Sequence, residues 1–378
     1  GIMFEQAEGG LVQNNTLLGM ANNDIIMNEC NYTVLDGNDI HGERTHGSGI
    51  SLSLCIAITL RNNSIEDGAI LFDIDAGSES VSGHDIDTSN TVGGKPVYYY
   101  DYGDYMWSSV PDDGGQIIIV SATNLNINGL QTTSCTAPIY IISSVGIRIY
   151  GLDLYGSGVG VTMLDSGDIW IVDGRIENMS VGILGLYVDY LLISGMTMSD
   201  NFNAVHVAAS LYGPASHIDV EVCLIEGSRN FGINFDGVES GSISSSVIAN
   251  SVSYGLMITN SQNIMVVENL FYRNNGAGEG YSVPTQVYAD SDTNYFDNNG
   301  RGNFWSEQLG PDADMDGVVD DFTYPIDGDL ATDNYPLAFV FITEPVTEGR
   351  YGIAYEYLPG TDHPALFRLN TNSSFLLI

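Results

Sequence analysis

Gly146-Ile-Arg-Ile-Tyr-Gly151 is followed 22 residues later by Asp168-Ile-Trp-Ile-Val-Asp173, and after another 22 by Tyr190-Leu-Leu-Ile-Ser-Gly195. Each phrase alternates apolar and other residues over four positions, the period of a strand buried on one face, and is bounded at one or both ends by Gly or Asp. The same phrase opens earlier at Asn124 and recurs at His217, Gly241 and Asn263, so successive starts lie 22, 22, 22, 27, 24 and 22 residues apart. A second short strand sits at a fixed remove in the repeat, opened by Gly158, Gly182, Gly232 and Gly255. One repeat of this kind has nothing to bury its inward row against, and stacked repeats bury it continuously. The reading is an all-β, right-handed, single-stranded parallel β-helix of roughly 22 to 25 residues per coil. An antiparallel sandwich also uses short strands but has no reason to hold the period.

Working outward, Tyr32-Thr-Val-Leu35 and Ala57-Ile-Thr-Leu60 repeat with an offset of 25. Cys30 and Cys55 share that offset, which stacks the two sulfurs on neighbouring coils. Strands lie about 4.8 Å apart in the pairing direction, a separation that disulfide geometry accepts, so a bridge and a ladder of buried thiols both stay open. Cys135 and Cys223 fall several coils apart and are expected to be unbridged to each other, which leaves either able to link to another molecule. The expected segments are coils over 1–92, an aromatic insertion over 93–118, regular coils over 119–300, an Asp-rich segment over 301–337 and a non-repeat β extension over 338–378. The insertion carries Tyr98, Tyr99, Tyr100, Tyr102, Tyr105 and Trp107, candidates for stacking on sugars or for an interface, against the alternative of packing on the coil's flank.

The 378 residues include 44 Gly, and 48 acidic side chains face 10 basic ones, a formal net charge of −38 with Lys95 the single lysine. Phosphate binding needs clustered basic residues, so a nucleic-acid partner is excluded, and cations are favoured. No run of apolar residues is long enough to span a membrane, and the first residues show no signal sequence. A chain opening on Gly1 is expected to be a product whose signal was removed. Sequons at Asn14, Asn31, Asn62, Asn178 and Asn372 are compatible with an exported glycoprotein.

Asp312, Asp314, Asp316 and Asp320 occupy positions 1, 3, 5 and 9 of a loop with Gly317 at position 6. Hard cations are ligated by oxygens in this spacing, which points to a structural Ca²⁺, with the Val318 carbonyl at position 7 and Asp321 in place of the acidic residue missing at Thr323.

The coils resemble the NosD-type repeats of the carbohydrate-binding and sugar-hydrolase β-helix superfamily, as do three further features in order: Asn90-Thr-Val-Gly-Gly-Lys-Pro-Val-Tyr-Tyr99, Gly302-Asn-Phe-Trp-Ser306 and Asp333-Asn-Tyr-Pro-Leu337. The resemblance spans roughly residues 30 to 337 and implies an exported protein of the kind found on archaeal surfaces. The family name suggests copper, but the six His and 11 Met are scattered without a soft-ligand cluster. Arg148, Arg175, Arg229 and Arg273, the basic candidates on regular coils for a lyase, occupy different positions in the repeat. No catalytic residue is assigned. The expected function is an extracellular structural protein of the cell envelope, a surface-layer or sheath subunit assembling with its own copies. A carbohydrate-binding adhesion module is the alternative, and a polysaccharide lyase or hydrolase the third.

Overall fold

In the computed structural model, described for residues 1–18, 24–41, 49–72, 81–276, 285–307, 310–320, 322–328, 330–342, 351–356 and 365–370, the chain is a right-handed parallel β-helix. It divides into two compact units, Gly1–Asp189 and Tyr190–Ile378.

The first unit opens with three parallel faces. One stacks Ile2–Glu5, Ile25–Asn28, Gly49–Ser53 and Ala69–Phe72; the second stacks Leu11–Gln13, Val34–Asp36, Thr59–Arg61 and Asp85–Ile86; the third carries Thr16–Leu18, Asp39–His41, Ser64–Ile65 and Thr91–Val92. Partners lie one coil apart, as in Ile2 against Ile25 and Ile25 against Ile50. Alternate residues point inward, so like side chains stack into buried columns such as Val12, Leu35 and Leu60. The second unit repeats the plan: Asn203–Ala208, Ile233–Asp236, Leu256–Thr259 and Val287–Ala289 form one ladder, and Leu224–Glu226, Val247–Ala249, Leu270–Tyr272 and Phe304–Trp305 another.

The repeated phrase has a backbone explanation. Asn124, Gly146, Asp168, Tyr190, His217 and Asn263, which open six of the seven phrases, all adopt φ between 49° and 74°. Gly129, Gly151, Asp173, Gly195, Val222 and Glu268, which close six of them, lie between 55° and 67°. Each of those six phrases is thus a strand held between two left-handed corners, a conformation that Gly, Asn and Asp accept at least cost. The glycines that open the second strands answer a different need: a Cβ at Gly158 would lie 1.8 Å from the Thr136 carbonyl oxygen of the preceding coil.

Corners bury polar groups, and these are paired coil to coil. The Asn38 side-chain amide donates to Asn63 Oδ1 (2.8 Å) and to the Val12 carbonyl, and that of Asn63 to Asn90 Oδ1 (2.8 Å) and the Leu35 carbonyl. Later coils use serine for the same purpose, Ser166 accepting from the Ser144 amide (3.1 Å).

The aromatic stretch is not an excursion from the solenoid. Lys95–Val110 follows a tight hairpin with Thr91–Val92 and then pairs in parallel with Gln116–Asn128, from Val97 against Gln116 to Val110 against Ile127. It is a coil of 19 residues at its start, with a register shift between Asp104 and Ser108. The expected extension past the repeat is an antiparallel sheet of Phe339–Ile342, Tyr351–Glu356 and Ala365–Asn370. No helix among the described residues is long and apolar enough to cross a membrane.

Candidate functional site

The Asp-rich loop closes on itself as its spacing implies, with one exception. Asp312, Asp314 and Asp320 each offer a carboxylate oxygen within 4.8 Å of the others. Backbone hydrogen bonds fold the loop: Asp312 accepts from the amides of Asp316 (3.1 Å) and Gly317 (3.0 Å), and Asp320 from that of Ala313 (2.6 Å). Gly317, at φ 89°, supplies the sharp turn expected of it. Asp316 does not join the group; its carboxylate accepts from the Val318 amide (2.9 Å). Asp321 lies outside the described residues. The loop is tied down by a bridge between Val318 and Leu337 and by hydrogen bonds from the Val319 amide to the Pro336 carbonyl (2.8 Å) and the Ala338 amide to the Gly317 carbonyl (3.0 Å).

Those ties join it to a buried cap that the sequence marked but did not explain. Asp333 is wholly buried, and its carboxylate accepts from the amides of Asn303 (2.8 Å) and Tyr335 (3.0 Å) and from the Trp305 indole (3.0 Å). Burial pushes its pKa up to about 6, against the opposing pull of those donors. A Cβ at Gly302 would lie 1.9 Å from Asp333 Oδ1, so that glycine makes room for the carboxylate. The Asn303 amide donates to the Val266 (2.7 Å) and Phe296 (2.9 Å) carbonyls and accepts from Asn269 (3.0 Å). Trp305 stacks between Phe271 (centroids 4.7 Å) and Tyr324 (3.9 Å). Glu307 is raised by burial and accepts from the Tyr324 hydroxyl. The two motifs at 302–306 and 333–337 are therefore one structural device.

The six aromatic candidates divide. Tyr98 donates its hydroxyl to Asp113 (2.7 Å), which with burial holds its pKa up at about 12; Tyr99 donates to the Val81 carbonyl (3.0 Å) and Tyr105 to the Asp101 carbonyl (3.1 Å). Tyr100 packs edge-on against Tyr105. Tyr102 (64% exposed), whose hydroxyl meets that of Ser82 at 2.9 Å, and Trp107 (45%) remain open. Arg148 lies over Trp107 at 5.0 Å and over Trp170 at 4.3 Å while gripping Asp168 with two 2.8 Å bonds. Of the other arginines, Arg175 pairs with Glu177 and Arg273 lies over Tyr272.

Cys30 and Cys55 are neighbours on adjacent coils, joined by the Ile56 amide donating to the Cys30 carbonyl (3.0 Å), and both are buried free thiols. Between the two readings that the spacing left open, the structure holds the thiol ladder. Burial pushes Cys135 and Cys223 up to about 12, which leaves them unreactive, and neither reaches the surface. Of the sequons, Asn14 and Asn62 are exposed, Asn31 and Asn178 are half-buried, and Asn372 lies outside the described residues.

A family model described as "Periplasmic copper-binding protein (NosD)" matches residues 79–310, more than half of the chain, and the chain belongs to that family. No curated protein matches it. The description names no reaction. Copper prefers thiolate, thioether or imidazole ligands, whereas the one group of three His, Cys, Asp or Glu donors among the described residues is the aspartate set at 312, 314 and 320. His46 and His363 lie outside the described residues. The aspartate set does not fit copper.

Proposed function

We propose that this member of the NosD family is an extracytoplasmic structural protein of the cell envelope, assembling with further copies of itself. The family description supplies the compartment. The observation that carries the reading is how the buried polar side chains are spent: Asn38, Asn63, Asn90, Ser246, Asn269 and Asn303 all hold coil to coil, as a load-bearing solenoid requires. Such side-chain ladders stiffen a stack whose repeats contact only their neighbours.

Two features supply the means of assembly. The antiparallel sheet over 339–370 leaves Phe339–Ile342 and Ala365–Asn370 as edge strands among the described residues, and an edge is a template for further pairing. A net charge of −38 keeps copies apart until salt or divalent ions screen it. Ca²⁺ held by Asp312, Asp314 and Asp320 offsets two of the three negative charges clustered there and fixes the loop against the Asp333 cap. Electron microscopy and sedimentation across NaCl and CaCl₂ series test the reading. Ordered sheets, tubes or fibres are expected on screening; a chain that stays monomeric in every condition defeats it.

A further inference from the structure

Three asparagine–glycine steps occur in the chain, Asn128-Gly129, Asn275-Gly276 and Asn299-Gly300, and all are among the described residues. Such a step carries a reaction of its own. The backbone nitrogen after the asparagine can attack the side-chain carbonyl carbon, and glycine puts no side chain in the way. Two groups must be free at once: the carboxamide, to swing onto the backbone, and the glycine N–H, to attack. The three steps differ in this. Gly129 donates its N–H to the Tyr150 carbonyl (2.8 Å), so that nitrogen is held in the ladder. The Asn275 carboxamide donates to the Thr285 carbonyl (3.0 Å), so that side chain is held. Neither the Asn299 carboxamide nor the Gly300 N–H has a hydrogen-bond partner among the described residues.

Asn299 and Gly300 are the central pair of a tight hairpin. Asn298 and Arg301 exchange both backbone hydrogen bonds (2.8 and 3.1 Å), and the two residues between them lie at φ 52° and 79°, which is why the turn reads Asn-Gly. Asn298 and Asn299 are exposed, and a Cβ at Gly300 would meet nothing within 4 Å, so water and base reach the turn. The chain runs straight from this turn into the buried cap. Arg301 pairs with Glu268 (3.0 Å), and Gly302 donates to the Tyr335 carbonyl (2.8 Å) and leaves the room that Asp333 fills.

We propose that Asn299 is a self-modification site, one that converts in the folded protein ahead of the other two asparagines and loosens the entry to the Asp333 cap as it does. The Gly300 nitrogen bonds to Cγ of Asn299, its proton passes to solvent, and the carboxamide nitrogen leaves as ammonia, which closes a five-membered imide. Water then opens the ring at either carbonyl, giving aspartate or isoaspartate. The net change is amide plus water to carboxylate plus ammonium, with nothing oxidised or reduced. Either product adds a negative charge to a chain that already carries −38. In isoaspartate the backbone runs through Cβ and is one atom longer, so a two-residue turn no longer closes both bonds between Asn298 and Arg301. Ring closure needs the tip to open briefly, and only those two bonds at an exposed end oppose it. The reaction belongs to a single chain and does not depend on self-assembly.

Ageing of the whole chain at mildly alkaline pH, followed by peptide mass mapping with fragmentation that distinguishes isoaspartate, tests this. In the folded protein position 299 is expected to convert about tenfold or more faster than 128 or 275. In the urea-unfolded chain the three are expected to agree within about threefold, because only the fold sets them apart. Conversion at 299 no faster than at either other step in the folded protein overturns the proposal, as does a folded-state ranking that the unfolded chain reproduces. Asn299→Gly supplies a second readout, since glycine suits the positive φ and has no carboxamide. The aged parent is expected to melt below its own fresh sample while aged Asn299→Gly matches its own. Equal losses in both overturn the link between the turn and the cap.

Discussion

Asp333 and the aspartates of the 312–320 loop are close in sequence and lie on segments joined by backbone hydrogen bonds from Val319 to Pro336 and from Ala338 to Gly317, yet the same side chain does different work in each place. Asp333 is buried, accepts from three N–H groups and has its pKa raised to about 6. In the loop, Asp312, Asp314 and Asp320 converge at a half-exposed to exposed site, their shared need being a cation rather than a donor. A carboxylate enclosed by donors orders the chain by itself; carboxylates gathered at the surface repel one another until a counter-ion arrives.

Gly302→Ala tests the enclosed site most severely. The new Cβ would fall 1.9 Å from Asp333 Oδ1, and that carboxylate is fully buried and held by three N–H donors. A loss of about 3 kcal/mol or more is expected, read as early melting or proteolysis of the C-terminal coils; a variant as stable as the parent would remove the glycine–aspartate fit from the account.

Asp333→Ala orphans two buried donors and a part-buried one and is expected to cost about 3 kcal/mol, with Asp333→Asn milder because an amide oxygen still accepts. The same residue sets a pH dependence. Its folded pKa lies above the ordinary 3.8, so between about pH 4 and 6 the folded state holds more protons than the unfolded one. Its contribution is greatest in acid and is lost as pH rises through about 6, a difference on the order of 3 kcal/mol. Melting curves of parent and Asp333→Asn from about pH 4 to 7 at fixed salt separate this from general charge repulsion: the parent should show the steeper fall, and parallel curves would exclude it.

The open site is expected to respond to metal instead. At ten times its dissociation constant, Ca²⁺ should stabilise the chain by about 1.4 kcal/mol, an increment that vanishes in an Asp312→Asn, Asp320→Asn double variant. No calorimetric heat at millimolar Ca²⁺ would sink the assignment. The smallest effect is expected from Asp316→Asn, about 0.5 kcal/mol or less with or without Ca²⁺, because that carboxylate caps the Val318 amide outside the cluster.

The coils were legible because their signals are local. Alternating apolar residues mark a strand with one buried face, and Gly, Asn and Asp at its ends mark corners at positive φ, as at Asn124 and Gly129. The offset of 25 likewise placed Cys55 against Cys30, but not their oxidation state. Four aspartates and a glycine in loop spacing identified the acidic turn, and the carboxylate of Asp316, which accepts from the Val318 amide, lies outside the group of three. Two hollows beside Tyr155 left no trace in the sequence: their walls come from residues 67 to 178, and no short motif joins them.

The sequence by itself determined the solenoid, the spacing of its coils and the acidity of its surface, since each follows from a repeat or a composition that needs no partner to be read. The tertiary structure decided that Tyr98 to Trp107 belong to a coil, that Gly302 exists to admit Asp333, and that the Gln116 carboxamide pairs with the backbone of Ile70. Those facts rest on contacts between residues 19 to 46 positions apart, and a pairing register of that range is fixed only when the coils close on one another.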